Sequence, residues 1–360
     1  MEVSSALSRE LNLISSAEQL PPLLSSSLSA EERECIEKLK ISGLPFAVTP
    51  HFASLAGKEK TDPIRRQFMP DPVEALRDPF ALDDPLGEAQ YRLAPRLVHQ
   101  YRDRALLLAG GTCAGFCRYC FRRVRLSSPA GFISSGELAS ILSLLEARQE
   151  IREILVSGGD PLTGTNGQLE ELFGKLRKAR PGILIRLCTR SPITSPTRLG
   201  PETIALLARF RPLRIVTHIN HPRELAPDAR TVLASAVEAG IPVHVQTVLL
   251  RGVNDNAETL AQLFRECLNL GLSPYYLFQL DLAPGTAHFR VPLREGLSIY
   301  RNLELLISGL GLPAYAVDLP GGGGKIRLSG ESIAGEKDTP SGRVYLLKDR
   351  NGKLWEYPVS

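Results

Sequence analysis

The chain has 360 residues, 43% hydrophobic and 23% charged, which is the make-up of an ordinary globular protein long enough for a large core, not of a disordered one. The 43 Lys and Arg against 39 Asp and Glu leave a formal charge of +4, too thin an excess to point to a nucleic acid or an anionic membrane as partner. No apolar run approaches the ~18 residues of a membrane-spanning helix, and the start Met1-Glu2-Val3-Ser4-Ser5 has no basic stretch leading into an apolar one, so no secretory signal and a cytoplasmic location are expected.

Residues 1–98 are rich in Ser and Pro. Ala30–Leu39 predicts a short helix, and the proline-rich stretch from Pro63 to Pro95 an extended wrapping segment. No chemistry is evident in either. From about residue 105 short apolar runs alternate with amphipathic stretches. The runs are Ala105–Ala109, Ile154–Val156, Ile183–Cys188, Leu213–Ile219, Val243–Leu250 and Tyr275–Leu282. Helical spacing follows the first (Leu138, Ile141, Leu142, Leu145) and the fifth (Leu260, Leu263, Phe264, Cys267). Six strand–helix units imply a parallel sheet with right-handed crossovers, two units short of a closed eight-stranded barrel. The expected fold is α/β: a partial, open (β/α)6 barrel over 99–312, an N-terminal helical and extended segment over 1–98, and a C-terminal segment over 313–360. After a sixth helix, Leu293–Leu310, that last segment holds a run Ala314–Leu319, a glycine run, and a β-hairpin of Arg343–Lys348 and Lys353–Tyr357 about Asn351-Gly352.

Period-two alternation places Arg186, Cys188 and Arg190 on one face, and groups His218 with Asn220, His244 with Gln246, and Gln279 with Asp281. Tyr276, Phe278, Leu280 and Leu282 fall on the opposite face of the last strand, suited to lie under helices. A filled barrel interior is Val, Ile and Leu; polar residues recurring on one face of several strands predict a lumen that holds a polar ligand.

Of six cysteines, Cys35, Cys188 and Cys267 are isolated, whereas Cys113, Cys117 and Cys120 form C-x3-C-x2-C directly after the first strand of the barrel. Three thiolates within eight residues can converge on one centre. Iron–sulfur cubanes are held by cysteine thiolates, normally four, so three leave one iron open. Structural zinc wants a fourth ligand nearby, and a disulfide strands the third cysteine. A second feature is Pro320-Gly321-Gly322-Gly323-Gly324-Lys325. Ile326 stands where a phosphate loop has Ser or Thr, which argues against a nucleoside triphosphate. Four glycines give a flexible tether that can bring Lys325 into a site, as pyridoxal phosphate requires of its lysine; read by itself the run is equally a solvated linker.

The C-x3-C-x2-C loop after the first strand of a six-unit barrel resembles the signature of radical S-adenosylmethionine enzymes, over about residues 99–310. That resemblance implies a [4Fe-4S] cluster on Cys113, Cys117 and Cys120, whose open iron chelates S-adenosyl-L-methionine for cleavage to a 5′-deoxyadenosyl radical. Ser157-Gly158-Gly159-Asp160 looks like the family's glycine motif for the methionyl end of that cofactor.

Further blocks are similar to the lysine 2,3-aminomutase family over about residues 60–325. They are Asp62–Phe68, Asp84-Pro85-Leu86-Gly87-Glu88, His99–Arg104, Cys120–Arg123, Thr217–Pro222, Leu249–Asp255, Pro274–Tyr276 and Val317–Lys325. The likeness implies an isomerase that moves the 2-amino group of L-lysine to carbon 3, giving β-lysine. Lys325 would carry pyridoxal 5′-phosphate, Arg122 would take the substrate carboxylate, and Asp281 and Asp318 the side-chain ammonium. Arg190, His218 and Gln246 would face S-adenosylmethionine or pyridoxal phosphate, with Tyr101 and Arg104 near the latter. It also implies an electron donor such as flavodoxin or ferredoxin and a possible homo-oligomer.

The clostridial type places a zinc-binding cysteine just after Gly-Val-Asn-Asp; here that residue is Asn256, and no Cys or His follows Lys325, so no zinc is expected. This loss resembles the shorter branch that makes (R)-β-lysine for elongation factor P, although that branch lacks the Pro-Gly-Gly-Gly-Gly-Lys run. That branch, and an aminomutase of another cationic amino acid such as arginine, stand as alternatives. Two further readings are a radical enzyme without pyridoxal phosphate and a non-enzymatic iron–sulfur or zinc protein.

Overall fold

A computed structural model describes residues 12–38, 44–124 and 131–359. Ten strands form one sheet in sequence order: β1 (Arg92–Ala94), β2 (Leu97–Tyr101), β3 (Arg104–Gly110), β4 (Glu153–Gly158), β5 (Leu184–Cys188), β6 (Leu213–His218), β7 (Val243–Val248), β8 (Ser273–Phe278), β9 (Ala314–Leu319) and β10 (Gly324–Arg327). Strands β3 to β9 are mutually parallel. An antiparallel pair precedes them and β10 returns antiparallel on β9. β1 and β10 are therefore the two edges, and the barrel is open. The expected six parallel strands are seven, because the run Ala314–Leu319 joins the sheet after the helix Leu293–Leu306.

Period two explains the layering. Ile154 and Val156, Ile185 and Leu187, Val243 and Val245, Leu277 and Val317 are buried on the outer face of their strands. They share one apolar core with the inner stripes of the crossover helices, such as Leu138, Ile141 and Leu145 of Ser135–Ala147 and Leu169, Leu172 and Leu176 of Asn166–Ala179. Ser134 with Glu137, and Thr165 with Gln168, close capping boxes that fix where those two helices begin.

β8 departs from the expected alternation. Its register on β7 runs Val245 to Pro274 and then Gln246 to Tyr276, so Tyr275 is an extra residue. A bulge of one residue exchanges the two faces downstream of it. Tyr276, Phe278 and Leu280, expected beneath helices, line the interior, and Leu277 takes the outer face. Leu282, from the same expected set, does lie in the main core, beyond the strand's end.

The remaining segments wrap this sheet. The helix Ala30–Lys38 agrees with the sequence, and the stretch after Pro63 forms short 3-10 turns at Arg65–Gln67, Pro72–Ala75 and Glu88–Tyr91. The C-terminal hairpin is β12 (Gly342–Lys348) with β13 (Leu354–Pro358), joined by an unanticipated strand β11 (Ile333–Thr339). Buried Tyr357 of β13 donates its hydroxyl to the Leu280 carbonyl (2.8 Å), so this small sheet braces the end of β8. Among the described residues no helix is long and apolar enough to cross a membrane.

Candidate active site

At the carboxyl ends of the parallel strands lies a cavity of about 360 Å³, and every site residue expected from the sequence lines it. Some neighbours named with them on parity do not. Asn220 is buried in a network with Gln67 and Val248. His244 stands beside Arg214 (3.0 Å) away from the cavity. Gln279 is held by Val291, Tyr315 and Tyr357.

The cysteine loop leaves β3 and is fastened from outside by the N-terminal segment. The Phe116 N–H donates to Ala47 (2.9 Å) and the Arg118 N–H to Gln67 (2.8 Å). Buried Glu74 accepts from both Arg118 and Arg123. Burial alone would raise its carboxyl, but the two guanidiniums hold it below the usual range. The proline-rich stretch, in which no chemistry was evident, thus supplies the frame of the loop. Tyr119, between two of the cysteines, is buried edge-on against Phe289.

None of the six cysteines is in a disulfide. Burial, then the neighbouring thiols, push Cys113 well up, and burial followed by Cys117 pushes Cys120 up to about 11. Three sulfurs that feel one another at the wall of one cavity suit a shared metal cluster, which holds such thiols deprotonated. Among the described residues, no three Cys, His, Asp or Glu side chains are already gathered about a single point.

Next to this loop, the Gly159 and Asp160 N–H groups donate to the carbonyls of Gly110 and Thr112 (2.7 Å each). Gly158 has φ +119°, and a Cβ on it would lie 2.2 Å from the Gly110 oxygen; one on Gly159 would lie 2.1 Å from that of Thr112. The close approach that these glycines permit is to the cysteine loop itself. The Asp160 carboxylate is committed to protein. It accepts from Leu162 (2.9 Å), Thr189 (2.6 Å), Arg190 (2.8 Å) and Ser191 (3.0 Å), tying β4 to β5.

Arg190 reaches Cys117 Sγ (2.8 Å), Gln67 (2.6 Å) and Glu224 (3.0 Å) and packs over the rings of Phe52 and Tyr119. His218 and Gln246 hydrogen-bond across β6 and β7 (2.9 Å). Burial and then Arg190 lower His218 to about 4, which leaves it neutral near pH 7.

Lys325, on β10, lines the same cavity as the cysteines. Its N–H donates to the Tyr101 hydroxyl (2.9 Å), and Arg104 stacks on the same ring at 3.8 Å. Its Nζ donates to Asp318 and lies 3.9 Å above the Phe278 ring. Arg104, paired with Asp103, and Arg186, paired with Glu153, line the same cavity as the amine; an amine with two guanidiniums nearby is a set that fits an aldehyde carrying a phosphate. The glycine run before it is no flexible tether. Gln90 and Tyr91 donate to the carbonyls of Gly321 and Gly322 (2.9 Å each), Gln100 donates to Gly322 (3.2 Å), and Gly321 N–H donates to Pro85 (2.9 Å). Glycine is needed there because Gly321, Gly322 and Gly324 all have positive φ.

Asp281 reaches the cavity through the loop after β8, not through the alternation that suggested it. Burial, then Asp318, push it up to about 8. Asp318 pairs with Lys325. Arg122 is gripped by Glu88, Nη1 to Oε2 at 2.8 Å and Nη2 to Oε1 at 2.6 Å. Sequence reasoning gave no role to Glu88, Gln67 or Glu74; the only signal was that each falls in or near the matching blocks of the wrapping segment.

The Radical SAM superfamily pattern matches residues 107–264. An open parallel barrel with three thiols at the end of its first parallel strand and that match define a radical S-adenosylmethionine enzyme. A relative from Treponema pallidum (strain Nichols), assigned provisionally to L-lysine 2,3-aminomutase, is 49% identical over 284 residues, covering 78% of this chain and 80% of that one. The L-lysine 2,3-aminomutase of Clostridium subterminale is 33% identical over 315 residues, 87% and 75% of the two chains. A glutamate 2,3-aminomutase of Clostridioides difficile (strain 630) is 32% identical over 303 residues, 84% and 71%. The chain belongs to the lysine 2,3-aminomutase family. Where the zinc-binding cysteine of the clostridial type was expected to be replaced, Asn256 caps the helix Ala257–Asn269, accepting from Thr259 N–H at 2.8 Å.

Proposed function

We propose that this protein is an L-lysine 2,3-aminomutase, an isomerase that gives β-lysine. The observation that supports it is one cavity lined by three cysteines, Lys325, Arg122, Asp281 and Asp318, a set whose charges suit the two ends of a cationic amino acid. When bound, a [4Fe-4S] cluster with S-adenosylmethionine supplies a carbon-centred radical, and pyridoxal phosphate a π-system that spreads an unpaired electron. Cys113, Cys117 and Cys120 hold the cluster. Ser157, Gly158 and Gly159 form the adjoining wall, and Asp160 keeps that wall in place. Lys325 anchors the pyridoxal, with Tyr101 and Arg104 beside it. Arg190, beside Cys117, and the pair of His218 and Gln246 line the same cavity and would offer hydrogen bonds to either group.

Arg122 takes the substrate carboxylate in a fork geometry. Asp281 and Asp318 take the terminal ammonium. Two buried carboxyls are costly without a cation; in the structure Lys325 pairs with Asp318, and with Lys325 committed to pyridoxal a cationic substrate end would take that place. A substrate ending in a carboxylate would meet like charge there. A one-electron donor of the flavodoxin or ferredoxin class and a cytoplasmic location are part of this proposal; six cysteines with no disulfide among them suit a reducing compartment.

Anaerobically reconstituted enzyme should convert L-lysine in a panel with L-arginine, L-ornithine and L-glutamate. Turnover of glutamate in preference to lysine contradicts the assignment. Lys325→Ala should abolish both turnover and the visible absorption of lysine-bound pyridoxal; a variant that keeps both contradicts the role of Lys325.

A further inference from the structure

We infer that Glu88 is a positioning residue for substrate binding: it locks one edge of the Arg122 guanidinium so that the other edge faces the substrate carboxylate. The inference rests on the reading that Arg122 takes that carboxylate.

Glu88 is built to stay where it is. Its side chain is 9% exposed. Its N–H and that of Ala89 donate to the two oxygens of Asp84 (3.1 and 2.9 Å). It follows Gly87, whose φ is +62° and on which a Cβ would come within 2.5 Å of the Gly322 nitrogen. The turn is therefore wedged against the glycine run that carries Lys325, and Gln90 and Tyr91 of the same turn hold that run. One rigid element sets both the guanidinium and the pyridoxal lysine.

A guanidinium has five N–H donors. Glu88 accepts one from each η nitrogen, which leaves Nε–H and the outer η hydrogens for a second carboxylate. Arg122 lines the same cavity as Asp281 and Asp318. Without Glu88, the guanidinium can swing to the acidic pair, and the carboxylate and ammonium ends of the substrate site would collapse on each other. A bidentate partner on a fixed turn prevents that while leaving Arg122 able to bind.

Cadaverine has the two amines of lysine and no carboxylate, so it separates the roles. Pyridoxal-loaded enzyme is titrated with L-lysine and with cadaverine, following the change in pyridoxal absorption. Glu88→Gln should weaken lysine about tenfold, the size of a lost hydrogen bond to a charged group, and leave cadaverine unchanged. Glu88→Asp, which keeps the charge on a shorter arm, should fall between. Unchanged or tighter lysine binding overturns the inference, as does equal loss of both ligands or failure of Glu88→Gln to take up pyridoxal phosphate, each of which marks a general structural role. Arg122→Gln is the control. If it weakens lysine alone while Glu88→Gln changes nothing, only the inference fails. If Arg122→Gln leaves the ratio of the two affinities unmoved, the carboxylate assignment fails and the inference with it.

Discussion

Asp281 carries a raised carboxyl, pushed up to about 8 by burial and by Asp318, with Lys325 and Arg122 opposing and Glu88 adding to the rise. Between its ordinary value of 3.8 and about 8 the native state holds a proton that the unfolded chain has lost. This group therefore makes the folded state less stable as pH rises through that window. The ligand follows the opposite trend: a cationic amine binds the ionised carboxyl, so lysine affinity should strengthen as pH rises toward about 8. Asp281→Asn should weaken lysine about tenfold or more near neutral pH and remove that part of the pH dependence. Calorimetric titration at several pH values checks it; an unchanged pH profile in the variant contradicts the role of Asp281. The residues that do chemistry were legible because thiols at C-x3-C-x2-C spacing and a lysine after four glycines are chemically distinctive. Glu88 was not, since a lone carboxylate in a loop shows its partner only once the turn at Gly87 brings it to Arg122.

The cysteine loop depends on elements remote in sequence. Glu74 joins Arg118 and Arg123 in a buried ionic group, and removing one partner of such a group leaves uncompensated charge inside the protein. Glu74→Ala should cost about 3–5 kcal/mol by denaturant unfolding, and should lower iron retention although Glu74 is no ligand. A loss below about 1 kcal/mol would show that the group is solvated. Gly159→Ala places a Cβ 2.1 Å from the Thr112 oxygen and should disrupt the loop with every cysteine intact, checked by the iron content of reconstituted protein. The strands of the barrel were legible from their apolar runs, but β8 shows where alternation stops informing. One extra residue at Tyr275 reverses the faces, and nothing in the composition of Tyr275–Leu282 marks it. The glycine run misled in the opposite sense. Glycines signal freedom in an isolated chain, whereas here Gly322 admits the Gln90 and Tyr91 side chains of the Glu88 turn, and Gly87 lets that turn approach the run's backbone.

At the scale of the molecule, an open sheet of seven parallel strands explains why one cavity can take two cofactors. A closed barrel fills its interior with side chains; here polar and aromatic residues line a lumen that is bounded by the wrapping segments. Period two and the count of apolar runs revealed the openness. The seventh parallel strand and β11 escaped because Ala314–Leu319 follows an already counted sixth helix, and because Glu336, Lys337 and Asp338 give β11 no apolar face. The most direct measurement follows the nitrogen of L-lysine labelled at the 2-amino group, by NMR, in anaerobic enzyme supplied with iron, sulfide, S-adenosylmethionine, pyridoxal phosphate and a reductant. The label should appear on carbon 3, and should stay on carbon 2 when either cofactor is withheld or when Cys117→Ala replaces the wild type. A label that stays on carbon 2 in the complete mixture, or moves without pyridoxal phosphate, contradicts a single cavity serving both.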